Sequence, residues 1–299
     1  EHFVVYGLAG IVAALDDTFV VHVSPSPKGK HTLIDHTKKF KTTYPQKFTF
    51  DTNQSGALLQ AIINHLGIDG HLDISLSGTM KIANSGMGSS AASCVALARA
   101  IGDLYDLNLS DAQINEAAYA GEMIMHGKPS GIDNTAATYG GTFVFEQNRI
   151  IPITLESPLY IVLAESGIKT KTKEVVADVR KLKEKNPEFV QNLFTEYKNL
   201  ASQASNALEN NSLALIGDLM NKNHELLVKL TVSHPELNRM VELSLKAGAL
   251  GAKMTGTGRG GLMLALAANQ KEQRAIADKL EAHGYETLLT TIGGQQNTL

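Results

Sequence analysis

The chain has little of what marks several common protein classes. Its 299 residues contain one cysteine, Cys94, which excludes an internal disulfide and a cysteine-based zinc cluster. The longest apolar stretch, near 261–268, is far shorter than the ~20 residues that a membrane helix requires. We therefore expect a soluble protein. Small apolar residues surround Cys94, which favours a buried side chain over a reactive thiol.

An excess of charge of one sign is also lacking. A formal net charge of −3 and a pI near 6.4 argue against a nucleic-acid-binding or membrane-surface protein. Local cationic pockets remain compatible with this balance, because net charge governs association rather than individual sites. With 43% hydrophobic residues, the chain can bury most of its unfolded surface in one large or two modest domains.

Hydrophobic periodicity predicts a mixture of helices and strands. The predicted helices are 54–66, 90–105, 110–125, 173–185, 188–210, 212–229, 236–247 and 271–283. The predicted strands are 18–23, 71–76, 142–145, 159–164, 249–255, 262–267 and 286–291. No regular strand–helix alternation of the doubly wound type is present. The sequence therefore predicts an α+β protein with two lobes, 1–157 and 158–299, divided near Ser157.

A loop of small residues, Gly86–Ala92, runs into the apolar helix 90–105. Its Gly-x-Gly-x-x-Ala pattern fits a dinucleotide fingerprint, but Asp106 follows a helix, so no second strand presents it to a ribose. The Walker A pattern fails because no Gly-Lys-Ser/Thr follows. Glycines permit close backbone approach, the first helical turn attracts phosphate, and Ser89 and Ser90 add hydroxyls. A phosphate loop and a serine-capped structural turn both stay open.

Two carboxylates, Glu122 and Asp133, flank a Gly-x-Pro-Ser-Gly turn at 127–131. The glycines and the proline restrict the path that leads to Asp133. A carboxylate on such a preset turn suits the orientation and deprotonation of a hydroxyl. Taken singly, Asp133 is better explained by an Asx turn or a helix cap, and Glu122 by a solvated surface acid.

A further glycine-rich loop, Lys253–Gly261, lies between two predicted strands. It suits either a bulge or tight hairpin, or a second backbone approaching the same nucleotide. Arg259 stands among its glycines, and its planar charged fork suits a bidentate phosphate contact. A solvated arginine at a hairpin tip is the alternative.

Together and in this order, these segments resemble the mevalonate kinase family of the GHMP small-molecule kinases. Residues 1–7 look like the end of the family's first motif, 86–92 like its ATP-phosphate motif, and 253–261 like its third motif. Residues 122–134 are similar to the segment most particular to the family, and 172–179 resemble its substrate-side helix. Because the lysine of the first motif is expected just upstream of these residues, we expect a further N-terminal segment.

The resemblance implies a fold and a set of residue roles. The fold would be the two-lobed α+β GHMP kinase fold, with an N-terminal lobe like ribosomal protein S-five domain two and a ferredoxin-like C-terminal lobe. Asp133 would be the catalytic base toward the C5 hydroxyl of mevalonate. Mg²⁺ would be held by Ser90 and Glu122, ATP by Gly86, Gly88, Ser89, Ser90, Gly256, Gly258, Arg259 and Gly260, and mevalonate by Glu1, His2, Asp133 and Thr172.

The implied reaction is in-line transfer of the γ-phosphoryl group of ATP to mevalonate, which gives 5-phosphomevalonate. We expect a cytoplasmic enzyme of isoprenoid biosynthesis that uses ATP and Mg²⁺, without nucleic-acid or membrane partners; a homodimer is an open alternative. Thr257 and Arg259 replace the usual small residues of the third motif, so the electrostatics of this loop should differ. Another GHMP kinase, acting on phosphomevalonate, homoserine or a sugar, is the first alternative. A non-catalytic metabolite sensor with this fold is the second.

Overall fold

The computed structural model describes residues 2–36, 38–39, 42–43, 46–49, 54–78, 87–127, 129–147, 149–170, 172–256 and 258–293. The helices are α1 (Gln54–His65), α2 (Ser89–Leu104), α3 (Asp111–His126), α4 (Ile132–Tyr139), α5 (Thr172–Lys185), α6 (Pro187–Glu209), α7 (Leu213–Lys229), α8 (Pro235–Lys246) and α9 (Gln270–Glu281). The strands are β1 (Gly10–Ala13), β2 (Phe19–Pro25), β3 (Thr32–Asp35), β4 (Lys38–Lys39), β5 (Thr42–Thr43), β6 (Gln46–Thr49), β7 (Leu72–Gly78), β8 (Thr142–Glu146), β9 (Arg149–Ile153), β10 (Leu159–Glu165), β11 (Gly251–Thr255), β12 (Leu262–Ala267) and β13 (Glu286–Ile292).

Every predicted helix and strand is confirmed, with boundaries that differ by no more than two residues. The capping box that starts α3 is also present: Gln113 N–H donates to Ser110 Oγ, and Ser110 N–H donates to Gln113 Oε1. The sequence does not predict the short strands β1, β3, β4, β5, β6 and β9, of two to five residues each, or α4, a helix of only eight residues. So short a segment does not repeat an apolar stripe often enough for periodicity to identify it.

The described chain forms two compact units. One contains the described residues of 2–16 and 141–293, and the other contains the described residues of 17–140. The first unit is discontinuous in sequence, whereas the predicted lobes, 1–157 and 158–299, are each continuous. The α+β class is confirmed. None of the described helices is both long and apolar enough to cross a membrane.

The unit with residues 141–293 is built on an antiparallel sheet in the order β11-β12-β10-β13. Strand, helices, two strands, helix and strand follow one another along the chain, which is the split βαβ arrangement of a ferredoxin-like fold. The sheet and the helices share one hydrophobic core. Its members include Val162, Ala252 and Met263 from strands and Val175, Phe194, Leu226, Leu237 and Ile276 from helices.

The N-terminal residues belong to this core. Phe3 is buried and stacks on Tyr197 of α6, with ring centroids 3.8 Å apart and planes 7° apart. The Tyr197 hydroxyl donates to the carbonyl of Ala9 at 2.6 Å, and burial raises the pKa of Tyr197 to about 12. Strand β1 then pairs with β8 in a second sheet of this unit, in the order β1-β8-β9. The segment just after His2 is therefore fixed by aromatic packing and strand pairing.

Strand β11 is an edge strand, and helix α7 closes that edge. Asn221 accepts from Ala252 N–H at 2.9 Å, and His224 Nδ1 accepts from Met254 N–H at 3.3 Å. His224 Nε2 lies 3.1 Å from Asn238 Oδ1 and donates to it, because Nδ1 already serves as an acceptor. Burial, and next the charge of Lys253, lower the pKa of His224 to about 4. This neutral histidine accepts from a buried backbone N–H that would otherwise lack a partner.

The other unit carries a sheet in the order β2-β7-β3-β6, in which β3 and β7 are parallel. Helices α1, α2 and α3 pack in its core, whose members include Leu59, Ile62, Ile74, Cys94, Val95, Ile101, Ile114 and Ala117. Cys94 is fully buried, as predicted, and burial raises the pKa of its thiol. Helices α2 and α3 bring the candidate catalytic residues of this unit together.

Candidate active site

Asp133 lies in the first turn of α4, directly against the residue that precedes α2. A Cβ placed on Gly88 would come within 3.3 Å of Asp133 Cβ and 3.4 Å of its Cγ. Gly88 has φ +66°, a backbone conformation that glycine adopts without strain. The exposed Asp133 carboxylate and Gly88 of the small-residue loop are therefore neighbours.

Asn115 of α3 orients α4. Asn134 Nδ2 donates to Asn115 Oδ1 at 2.7 Å, and Asn115 Nδ2 donates to Thr135 Oγ1 at 3.5 Å. Arg99 donates to the carbonyl of Thr138 at 2.8 Å, near the end of the helix. Sequence reasoning did not identify this network. The signal it left is the asparagine at 115, which shares a face of α3 with Ala118 and Glu122.

Glu122 is buried, with 3% of its surface exposed. The interpretation of Glu122 as a solvated surface acid is therefore wrong. Ser90 Oγ of α2 donates to Glu122 Oε1 at 2.5 Å, and Cys94 Sγ lies 3.9 Å from the same oxygen. His126, one turn further along α3, has its Nε2 3.5 Å from Oε2 and is about half exposed. The buried side of α3 thus presents a carboxylate to the first turn of α2.

These oxygens suit a hard divalent cation. A buried carboxylate is costly unless a cation or several donors compensate for it. Among the described residues, the ionic partner of Glu122 is the half-exposed His126. The described part of the chain holds no cluster of three histidine, cysteine, aspartate or glutamate ligands. Mg²⁺ on a nucleotide needs only one or two protein oxygens, because water and phosphates fill its other positions. Ser90 and Glu122 meet that requirement.

The glycine-rich loop in the range 253–261, the third glycine loop, lies beside His2. His2 is 2% exposed, and a Cβ on Gly258 would come within 2.8 Å of His2 Nε2 and 2.5 Å of the carbonyl of Val232. The loop is also tied to the segment after β10, since Gly261 N–H donates to Ile168 O at 3.0 Å. A predicted substrate residue and a predicted phosphate-binding glycine are therefore in contact.

Both the backbone and the side chain of Arg259 form hydrogen bonds. Its N–H donates to Val232 O at 2.7 Å, and its carbonyl accepts from Thr170 Oγ1 at 2.7 Å. Its Nε donates to Thr231 O at 3.1 Å, and its Nη1 pairs with Asp178 Oδ2 at 2.6 Å. The side chain is 31% exposed, so a freely solvated arginine does not describe it. A phosphate contact by Arg259 stays a prediction.

Several predicted site residues have no described side chain. Glu1 and Gly86 lie outside the described residues, as does Thr257 of the third loop. Thr172 is the first residue of α5, and the structure describes its backbone alone. Gly256 and Gly260 lie in the described third loop, on either side of Gly258. The roles of all these residues stay predictions.

Two family models match the chain: "GHMP kinases N terminal domain" over residues 55–141 and "GHMP kinases C terminal" over residues 204–286. Mevalonate kinase of Pyrococcus abyssi is 32% identical over 309 aligned residues, which cover 98% of this chain and 91% of that protein. The crystal structure of L. major mevalonate kinase in complex with R-mevalonate is similar with a TM-score of 0.89 and 35% identity, over 99% of this chain and 92% of that one. The crystal structure of the Methanococcus jannaschii mevalonate kinase is similar with a TM-score of 0.81 and 25% identity, over 98% of this chain and 94% of that one.

The likeness is thus not confined to the glycine loops. The aligned region is nearly the whole chain in both comparisons. By sequence and by fold, this chain belongs to the mevalonate kinase family of the GHMP kinases, and it is a kinase.

Proposed function

We propose that the protein transfers the γ-phosphoryl group of ATP to the C5 hydroxyl of mevalonate. One observation carries the proposal: Asp133 lies against Gly88 at the start of α2, and the first turn of the same helix holds the buried Ser90–Glu122 pair. A proton acceptor, a phosphate loop and hard oxygen ligands are the components that phosphoryl transfer to an alcohol uses. The R-mevalonate complex of the L. major relative supports mevalonate as that alcohol.

Asp133 would orient the C5 hydroxyl and accept its proton as the oxygen attacks the γ-phosphorus. The network from Asn115 to α4 limits the motion of the helix that carries this carboxylate. Such positioning supplies much of the rate enhancement in phosphoryl transfer, because the reacting oxygens must lie in line.

The small-residue loop and the third glycine loop would receive the ATP phosphates. In the first loop, we propose backbone contacts from Gly86 and Gly88 and hydroxyl contacts from Ser89 and Ser90. Backbone N–H groups at a helix N-terminus attract phosphate, and α2 begins at Ser89. In the third loop, Gly256, Gly258 and Gly260 would let backbone approach the nucleotide.

Ser90 and Glu122 would hold Mg²⁺, because their hydroxyl and carboxylate oxygens are the hard ligands that this cation prefers. When bound, the cation would neutralise charge on the phosphates of ATP. His2, next to Gly258, would contact mevalonate together with Glu1 and Thr172. The burial of His2 supports a fixed rather than a mobile contact.

Product analysis with MgATP and four alcohols tests the function. Mevalonate, phosphomevalonate, homoserine and galactose are supplied separately, and products are identified by mass spectrometry and phosphorus NMR. We expect 5-phosphomevalonate as the dominant product. A higher kcat/KM with any of the other three alcohols would refute the mevalonate assignment, and no turnover with all four would favour a non-catalytic sensor.

We further propose a cytoplasmic location, in keeping with two substrates that are small and water-soluble. Fractionation of the source cells tests it, and recovery with membranes or organelles would contradict it. The homodimer is tested by light scattering of the purified chain, for which a single molar mass near 32.1 kDa would indicate a monomer.

A further inference from the structure

We infer that Asp178 and Arg259 form a positioning pair that holds the third glycine loop in the conformation used for ATP. The inference rests on the proposed function, which assigns this loop to the nucleotide phosphates. Arg259 Nη1 lies 2.6 Å from Asp178 Oδ2, so the pair joins the loop to helix α5. Asp178 has no direct chemical task in the reaction proposed above.

The contacts of Arg259 connect three separate segments to the loop. The backbone reaches Val232 and Thr170, and the side chain reaches Thr231 and Asp178. A planar guanidinium can serve Thr231 O and the Asp178 carboxylate together because its donors point in fixed directions. One residue therefore restrains the loop against the turn after α7, the segment after β10 and helix α5.

The backbone at this position indicates that the side chain is needed. Arg259 has φ +50°, a region that residues with a Cβ adopt at a cost and that glycine adopts freely. Its neighbours Gly258, Gly260 and Gly261 also have positive φ. A glycine at 259 would suit this backbone better. The presence of arginine is therefore explained by the groups that its guanidinium binds, the Thr231 carbonyl and the Asp178 carboxylate.

The pair also links two predicted substrate elements. Helix α5 begins at Thr172, and the loop contains Gly258, which is in contact with His2. Asp178 additionally accepts from Lys181 at 3.3 Å. The hydrogen bond from Arg259, followed by that from Lys181, lowers the pKa of Asp178 below its ordinary value. A charged Asp178 is thus available to hold Arg259 at neutral pH.

Direct phosphate binding by Arg259 makes the opposite prediction for Asp178. If the guanidinium binds ATP, Asp178 competes with phosphate for it, and removal of the Asp178 charge leaves the KM for ATP unchanged or lowers it. If the pair positions the loop, the same change releases the loop and raises that KM. Asp178→Asn therefore distinguishes the two mechanisms.

Steady-state kinetics of Asp178→Asn, Arg259→Gly and the double variant test the pair. We expect each single change to raise the KM for ATP on the order of 10-fold, with less effect on the KM for mevalonate. The double variant should be no worse than either single variant, because both remove one interaction. Arg259→Lys should be intermediate, since lysine keeps the charge and loses the fork. Lys181→Ala and Arg274→Lys are matched controls, and neither should change the KM for ATP.

Two kinetic outcomes overturn the inference. One is an unchanged or lowered KM for ATP in Asp178→Asn alongside a raised KM in Arg259→Gly, which indicates direct binding. The other is a KM for ATP that is unchanged in both variants, which indicates a surface ion pair without effect.

Hydrogen exchange supplies a readout that does not depend on turnover. In the unliganded protein, Arg259 N–H is bonded to Val232 O and Gly261 N–H to Ile168 O. In Asp178→Asn and Arg259→Lys, these amides should exchange faster, while amides of β10 and β12 keep the wild-type rate. Equal acceleration of loop and sheet would mean that the pair supports only global stability and would overturn the inference. If the wild-type protein fails to phosphorylate mevalonate but the loop-specific acceleration is observed, the proposed function fails and the pair stands.

Discussion

The neutral state of His224 should make the stability of the unit that contains it depend on pH. The pKa of His224 is lowered from 6.5 to about 4, so between these values the unfolded chain binds a proton that the folded chain does not. The contribution of His224 to stability is therefore fully present above pH 6.5 and falls as the pH decreases toward 4. At ~1.4 kcal/mol per unit of pKa, the loss across this window is about 3 kcal/mol.

The structural origin of this loss is the edge of β11. A protonated His224 has no lone pair on Nδ1, so it cannot accept from Met254 N–H, and its charge faces Lys253. Native-state hydrogen exchange of β11 amides, corrected for intrinsic rates, measures the local free energy at pH 7, 6 and 5.

The matched variants for this measurement are His224→Gln and His283→Gln. Glutamine keeps a polar side chain but does not titrate, so His224→Gln should be less stable at pH 7 and should lose most of the pH dependence. His283 is exposed in the same unit, and its replacement should leave the profile unchanged. Parallel profiles for the wild type and His224→Gln would refute the reasoning.

Three further predictions concern the site. Asp133→Asn keeps the shape of the side chain but loses the proton acceptor, so kcat should fall on the order of 10²-fold or more while ATP affinity, measured by calorimetry, changes little. Glu122→Gln should raise the Mg²⁺ concentration needed for half-maximal activity, because a neutral amide is a poorer ligand for a hard cation. Gly258→Ala should raise the KM for mevalonate, since its Cβ would meet the carbonyl of Val232 at 2.5 Å and displace either the loop or His2.

Each of these has a contradicting result. Equal effects of Asp133→Asn and Glu122→Gln on the Mg²⁺ requirement would show that the roles of the two acids are confused. An unchanged KM for mevalonate in Gly258→Ala, in a variant with wild-type thermal stability, would separate His2 from the substrate.

The sequence predicts the long helices and the more apolar strands, but not the short strands β1, β3, β4, β5, β6 and β9. Helix α6 has an apolar face that repeats at the helical period, and β12 is a short continuous apolar run, so the local sequence is enough to predict both. The N-terminal residues are different. Nothing near Phe3 in sequence indicates that it stacks on Tyr197, because that contact joins segments far apart in the chain.

In the candidate site too, local sequence does not reveal contacts between segments that are far apart in the chain. The sequence of α3 alone favours a surface position for Glu122, whereas its burial depends on Ser90 and Cys94 of another helix. For Arg259, the sequence suits either a phosphate ligand or a solvated hairpin tip, and neither interpretation includes the carboxylate of Asp178. Loops rich in glycine reveal where backbone can approach a ligand, but not which side chains restrain that backbone.

The way in which residues 2–16 join residues 141–293 has a consequence for synthesis on the ribosome. Strand β1 pairs with β8, and Phe3 stacks on Tyr197, so neither contact can form until much of the later chain has emerged from the exit tunnel. The described residues of 17–140 form a compact unit of their own, which leaves the exit tunnel before β8 and α6. During this interval the apolar N-terminal segment stays exposed, and chaperone binding there would protect the nascent chain from aggregation.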